Sequence, residues 1–245
     1  MATFSTDFDE YSTGDVATST SSAFTVQLAG GGDWTQTIVD LGGVDHAMRI
    51  ARTSSPIAVN NIVYNPLETA GDIDVVASFT LGTTWDSNYF AGAVLLASDN
   101  EGYGIRFSDD SGPEAFRLGQ FAANGINASS IGTYSALANP TAGTVIWTRV
   151  KRVGTTISGW VWTGTAGDMP ADPLWSGTNS SLTTVKPGFH GRRTGDAPYT
   201  CMWFSVGTGA DNAPTIGEGP VIDPGVILPP PPTAFGPDRG FGFGY

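Results

Sequence analysis

Between residues 72 and 81 the side chains alternate. Ile73, Val75, Ala77, Phe79 and Leu81 fall on one side, and Asp72, Asp74, Val76, Ser78 and Thr80 on the other. Only an extended strand sends successive side chains to opposite faces, so this segment is built to bury one face in a sheet. The same short pattern, bounded by turn residues, predicts strands at 47–52, 57–64, 92–98, 103–108, 115–122 and 201–207. Residues 144–153 and 155–163 flank Gly154 and read as a hairpin. Helical periodicity is not sustained anywhere, so helix is expected to be minor. A dozen or so strands over about 210 residues predict a sandwich, a jelly roll or a barrel, with the sandwich favoured.

Composition points the same way. The chain has 33 glycines in 245 residues and only 14% charged residues, a turn-rich β composition poor in helix-surface residues. Its 23 acidic residues outnumber 11 basic ones, for a net charge of -12. Such a field repels a phosphate backbone and an anionic lipid surface, so neither nucleic acid nor membrane is expected as a partner. Cys201 stands alone, which excludes an intrachain disulfide and a cysteine-based zinc site and makes it a small core residue. The opening residues lack the basic and apolar regions of a secretion signal, and no run of 18 apolar residues occurs. Synthesis in the cytoplasm is therefore expected, although the Ser/Thr/Gly-rich acidic surface resembles proteins that work outside cells.

Residues 213–245 are a different material. They hold eight of the 16 prolines and seven of the 33 glycines, including the run Pro229-Pro230-Pro231-Pro232. The run reads as a stiff polyproline spacer. Beyond it glycine alternates with aromatics, and Phe235, Arg239, Phe241, Phe243 and Tyr245 are the expected partner-docking residues of an extended arm. Residues 1–212 are then one sandwich domain and 213–245 its arm.

Candidate chemistry is sparse. Trp160 and Trp162 share a strand face opposite Ile157 and Val161, a pattern that fits either a packed core or interface, or a flat platform on which sugars stack. Trp85, Asn88 and Tyr89 form a loop with the aromatic and polar mixture of a glycan site. Asp7 with Asp9, Asp99 with Asn100, and Asp109 with Asp110 read as turn-stabilising residues rather than calcium ligands. His46 and His190 lack metal-ligand spacing and read as structural, and Arg192-Arg193 is expected to pair locally with Asp196. No metal and no cofactor are expected.

The segment from Phe4 to Asp15, the stretch Trp147-Thr148-Arg149-Val150-Lys151-Arg152-Val153-Gly154, and Gly188-Phe189-His190-Gly191 followed by Trp203-Phe204-Ser205-Val206-Gly207 together resemble the concanavalin A-like, laminin-G-like sandwiches. The resemblance implies a two-sheet antiparallel jelly-roll sandwich whose first and last strands are neighbours. It does not imply one activity, because this fold carries lectins, glycan hydrolases and structural modules.

Hydrolases of the fold carry Glu-x-Asp-x-Glu or a close variant on one strand, with the acid and nucleophile about 5 to 5.5 Å apart for retention. Here there are five glutamates, and none alternates with a second carboxylate within a strand. Asp72 and Asp74 come nearest and are expected to be solvated at a strand entrance, so no catalytic residue is assigned. Where calcium-holding relatives place an acidic pair before the last strand, this chain reads Cys201-Met202-Trp203.

Bacteriophage particle proteins fit the combination of a lectin-like sandwich, no secretion signal and a proline-spaced arm. The leading expectation is a non-enzymatic virion structural protein: a capsid decoration, head-fibre or tail-associated component, bound to capsid or tail proteins and open to homo-oligomer formation. The second is a carbohydrate-binding module or adhesin recognising a cell-surface polysaccharide. The third is a glycan hydrolase of the same fold.

Overall fold

The computed structural model describes residues 3–14, 23–29, 34–42, 45–52, 58–82, 90–108, 115–122, 128–131, 140–193, 198–209 and 211–213. Within them the chain forms β1 (Thr3–Thr6), β2 (Phe24–Ala29), β3 (Trp34–Gly42), β4 (Asp45–Arg52), β5 (Ala58–Tyr64), β6 (Ile73–Leu81), β7 (Phe90–Leu96) and β8 (Gly102–Ser108). These are followed by β9 (Ala115–Phe121), β10 (Ala128–Ser130), β11 (Ile146–Val153), β12 (Thr156–Thr163), a 3-10 turn (Ala166–Asp168), β13 (Trp175–Thr178), β14 (Lys186–Arg193) and β15 (Tyr199–Thr208). No helix among them is long and apolar enough to cross a membrane.

The strands form two antiparallel sheets. The first runs β13-β12-β11-β6-β15-β4-β3, with β1 also paired to β15, and the second runs β10-β9-β8-β7-β14-β5-β2. β15 therefore has three neighbours. β4 pairs with Tyr199 to Cys201, β1 pairs with Phe204 to Gly207, and β6 runs along its whole opposite edge. First and last strands are adjacent, as the resemblance implies.

Alternation explains the core. Ile73, Val75, Ala77, Phe79 and Leu81 of β6 face inward with Val150, Ile157, Phe189 and Phe204, while Val76 of the same strand belongs to a separate apolar cluster on the outer side. Burying the inner faces of both sheets against each other is the main stabilisation of such a sandwich. The β11–β12 hairpin turns at Gly154, whose φ of 57° lies in the left-handed region that glycine enters without penalty. Cys201 is fully buried, and burial pushes its thiol well above the ordinary range, so it is a core residue as expected.

Beneath the hairpin, Arg152 is 3% exposed and replaces a backbone ladder where two connections meet. Its guanidinium donates to the carbonyls of Thr69, Gly71, Leu182 and Thr183 at 3.1, 2.7, 3.4 and 3.3 Å. Those connections also join directly through the Thr69–Val185 bridge.

Several elements depart from the expectations. β2, β3, β10 and β13 were not predicted, and β14 is longer than its recognisable Gly188–Gly191 centre. Asp74, expected to be solvated, is 1% exposed, because Arg149 stands beside it on the neighbouring strand. Ala213, expected to begin the arm, still belongs to the packed body and lies within the outer apolar cluster.

Candidate functional site

The outer face of the first sheet carries most of the chain's distinctive chemistry. Register lines up Trp203, Ser78, Trp147 and Trp162 across β15, β6, β11 and β12, and beside them Ser205, Val76, Arg149 and Trp160. Trp147 and Trp162 stack at 5.7 Å with an interplanar angle of 14°. The residues after β12 fold back over them. Trp147 Nε1 donates to the Gly164 carbonyl at 3.1 Å and Trp162 Nε1 to the Thr165 carbonyl at 2.9 Å. The turn is held closed by Asp168, whose carboxylate accepts from the Thr165 amide and hydroxyl at 2.7 and 2.8 Å. Those bonds hold the Asp168 carboxyl below its ordinary range.

This cover decides between the two readings of Trp160 and Trp162. They are 7% and 4% exposed and pack with Val76, Trp147, Trp203 and Ala213 in a second core. A sugar needs an open ring face, so of the two alternatives for these residues the described structure favours packing over a glycan platform. Trp160 is unusual within the cluster. Arg149 lies 4.7 Å over its ring, yet its buried indole Nε1 has no hydrogen-bond partner among the described residues.

Arg149 and Asp74 form the polar centre of the face. Arg149 Nε donates to Asp74 Oδ1 at 2.8 Å and Nη2 to Oδ2 at 2.5 Å, a bidentate fork in a covered site. Asp74 Oδ2 also accepts the Ala213 amide at 2.9 Å. The Asn212 side-chain oxygen accepts from Lys151 Nζ at 2.6 Å and Arg149 Nη2 at 3.2 Å. The chain leaving β15 is thus gripped by three charged side chains before residue 214. Asp72, the other carboxylate of the pair considered for hydrolysis, accepts the Gly154 amide at 2.8 Å in the hairpin turn. A general acid needs a mobile proton and a nucleophile needs a free lone pair; Asp74 is committed to an ion pair and an amide instead.

The outer face of the second sheet is also covered. Val63, Val94, Leu96 and Phe121 cluster there, and His190 lies edge-on to Phe121 at 4.4 Å. Arg106 and Arg117, opposite each other on β8 and β9, are both 7% exposed. Asn61 faces this side opposite His190, buried, with neither carboxamide atom paired among the described residues. His190 is fully buried, and burial first, then the Arg106 charge, lowers its imidazole to about 4, so it is neutral.

Among the described residues no group of three or more His, Cys, Asp or Glu side chains is arranged to hold a metal ion. Asp7 and Asp99 accept the amides of Asp9 and Glu101 in tight turns, the role expected of them. Asp109 and Asp110, the Trp85, Asn88 and Tyr89 loop, Asp196, and the arm residues Phe235, Arg239, Phe241, Phe243 and Tyr245 lie outside the described residues. The sequence reading missed the Asp74–Arg149–Asn212 grip; its one visible signal is the unusual Asp-Val-Val-Ala alternation opposite a strand rich in arginine and lysine.

The described body is a lectin-type sandwich. Peanut lectin is similar to it with a TM-score of 0.53 and 14% identity, covering 86% of this chain and 100% of that one. Lectin UEA-II, solved with galactose, is similar with a TM-score of 0.50 and 12% identity over 83% of this chain and 97% of that one. A protein of unknown function from Shewanella oneidensis MR-1 gives 0.51 and 12% over 83% and 84%. At these identities the likeness is one of fold. No protein-family model matches the chain. No curated protein matches it by sequence.

Proposed function

We propose that this chain is a non-enzymatic, lectin-type display module: a glycan-recognising sandwich held in a larger particle, a bacteriophage virion, by its C-terminal segment. It is made in the host cytoplasm and resides in the virion beside capsid or tail proteins. The observation that carries the display part is the grip of Asp74, Arg149 and Lys151 on Asn212 and Ala213. A tether transmits position only if its root is rigid, and here the root is built into a covered ion pair. The non-enzymatic part takes its support from the same pair, since it occupies the carboxylate nearest to a catalytic arrangement.

Glycan recognition takes its support from the likeness to peanut lectin and to UEA-II, the latter solved with galactose. With Trp160 and Trp162 covered, the residues of this chain suited to stack a sugar and fix its hydroxyls are Trp85, Asn88 and Tyr89. Glycan-array binding of the full chain, lost in Trp85→Ala and Tyr89→Ala but kept in Trp162→Phe, is the expected result. A full chain that binds no glycan on the array removes this part of the reading. Co-sedimentation tests the other part. Particle proteins accompany the full chain and are lost with Phe241→Ala, Phe243→Ala and Tyr245→Ala together; a chain that sediments alone overturns the anchoring role.

A further inference from the structure

The chain turns back on itself directly after β15, and one missing side chain lets it. Gly209 has a φ of 68°, its amide donates to the Asp72 carbonyl at 3.0 Å, and the Asp211 amide donates to the Thr208 carbonyl at 3.3 Å. Residue 212 then lies on Gly207, where a Cβ would stand 2.5 Å from the Asn212 carbonyl carbon. Gly207, Asp74 and Lys151 are opposite one another on β15, β6 and β11. The returning Asn212 side chain therefore meets Lys151 over Asp74, although 61 positions separate the two in sequence.

In this meeting a carboxamide oxygen sits between two cationic donors. Lys151 Nζ is 2.6 Å and Arg149 Nη2 3.2 Å from Asn212 Oδ1. With a C=O bond of about 1.23 Å and an ordinary angle at the oxygen, Nζ stands roughly 3.4 Å from Cγ, a near-attack separation. The amine is a nucleophile, Cγ is an electrophile, and the Arg149 donor lies where negative charge develops on Oδ1. Asp74 takes no proton in this arrangement. Its fork on Arg149 and its bond to the Ala213 amide hold both partners in place.

We propose that Lys151 and Asn212 join in an intramolecular isopeptide bond, formed by the folded chain itself. The neutral Lys151 amine adds to Cγ, and the resulting oxyanion on Oδ1 is held by Arg149 Nη2. Water carries a proton from the attacking nitrogen to Nδ2, the Cγ–Nδ2 bond breaks, and ammonia leaves. A protonated lysine and a carboxamide thus become an amide and an ammonium ion, with no change of oxidation state. Asn212 is exposed and Lys151 partly exposed, so water and the departing ammonia have a path. An amine and a carboxamide free in solution scarcely react, whereas fixed positioning reaches effective concentrations on the order of 10⁵–10⁸ M. The product welds the end of the sandwich to β11, so tension on the C-terminal segment is carried by a covalent bond. The inference is independent of the virion and glycan readings, because it concerns only two side chains of the sandwich.

The test is the mass of the full chain, unfolded in denaturant after folded incubation at about pH 9, where more of a lysine is neutral. A mass one ammonia below that of the sequence is expected, with a protease fragment in which Lys151 is branched to the peptide holding Asn212. Lys151→Arg keeps the cation and should show its full mass, as should Asn212→Ala, each with the near-ultraviolet tryptophan spectrum of the parent. The branched fragment of the parent decides the matter even where a variant fails to fold. A parent chain that keeps its full mass overturns the proposal. So does an ammonia loss that persists in either variant, because the new bond then lies elsewhere in the chain. Glycan-array binding and particle co-sedimentation of Lys151→Arg are expected to match the parent, so the two sets of claims fail separately.

Discussion

His190 Nε2 lies 2.9 Å from the carbonyl oxygen of Ile105, two strands away across Gly92. A carbonyl only accepts, so Nε2 carries the proton and the neutral imidazole is held in that tautomer. The bond marks a split in the second sheet. β7 and β8 pair from Leu96↔Gly102 to Val94↔Gly104 and then stop. Continuing the register would join the Ala93 amide to the Ile105 carbonyl. Instead the Ala93 amide donates to Thr148 Oγ1 at 2.9 Å, on a strand of the other sheet, and His190 takes the carbonyl. One missing ladder bond is replaced by two side-chain bonds. Gly92 leaves the room, since a Cβ there would sit 2.5 Å from the Ile105 oxygen.

His190 therefore couples this split to pH. Its imidazole titrates near 6.5 when unfolded and near 4 when folded. Above pH 6.5 both states are neutral and His190 contributes no pH dependence. Between those values the unfolded chain binds a proton that the native chain refuses, so stability falls with acidification by about 1.4 kcal/mol per pH unit, on the order of 3 kcal/mol in all. Urea unfolding at a series of pH values should show this slope in the parent chain and a flatter one in His190→Gln. Equal slopes would mean the imidazole is not buried.

Thr148→Val keeps the shape of a buried side chain and removes the hydroxyl. The Ala93 amide then loses its acceptor, at a cost of about 1–3 kcal/mol. Amide hydrogen exchange at Ala93 should quicken to match the loss of global stability or exceed it. A variant with unchanged unfolding midpoint would show that β7 and β8 close their ladder when allowed to.

Asp74→Ala strands Arg149 in a covered site and releases the Ala213 amide. Breaking such a pair costs about 3–5 kcal/mol, whereas replacing both partners together costs far less. Unfolding midpoints of Asp74→Ala, Arg149→Met and the double variant, read as a cycle, should give a double-variant loss smaller than the sum. Glycan binding by the Asp74 variant is expected to survive at temperatures where it remains folded.

Arg152→Met keeps the length of the side chain and deletes its donors. The carbonyls of Thr69, Gly71, Leu182 and Thr183 then lose the Arg152 donors, Thr69 keeping the Val185 amide, and a loss of roughly 2–4 kcal/mol is expected. Exchange should quicken first at Thr69 and Val185, whose mutual bridge depends on the same junction. Uniform loss across the sandwich would argue that the junction has no local role.

The inner half of this architecture is written plainly in the chain. β6, β11 and β12 end within two residues of their expected limits, because apolar alternation and a turn glycine bound them on both sides. β3 is harder to see: Thr35, Gln36, Thr37 and Asp40 give it polar side chains on both faces, as suits an edge strand. β13 has only four residues and borrows its register from β12. Alternation also places Trp160 and Trp162 on the side away from the inner core, but cannot show that residues 164–169 return to cover them. Asp74 meets Arg149 only because strands 75 residues apart become neighbours, a pairing no local pattern contains.

The three-neighbour position of β15 has a kinetic side. The first sheet has no middle until residues 199–208 arrive, so β4, β6 and β1 wait with open edges while everything between them is made. Pairings this distant in sequence fold slowly and leave strand edges exposed meanwhile. The final closing move is then a single insertion, and it delivers Asn212 and Ala213 to the outer face in the same event. Under the proposed anchoring role, a chain that has not completed its sandwich has no rooted exit to offer, and a misfolded copy would be left out of the particle without any separate check.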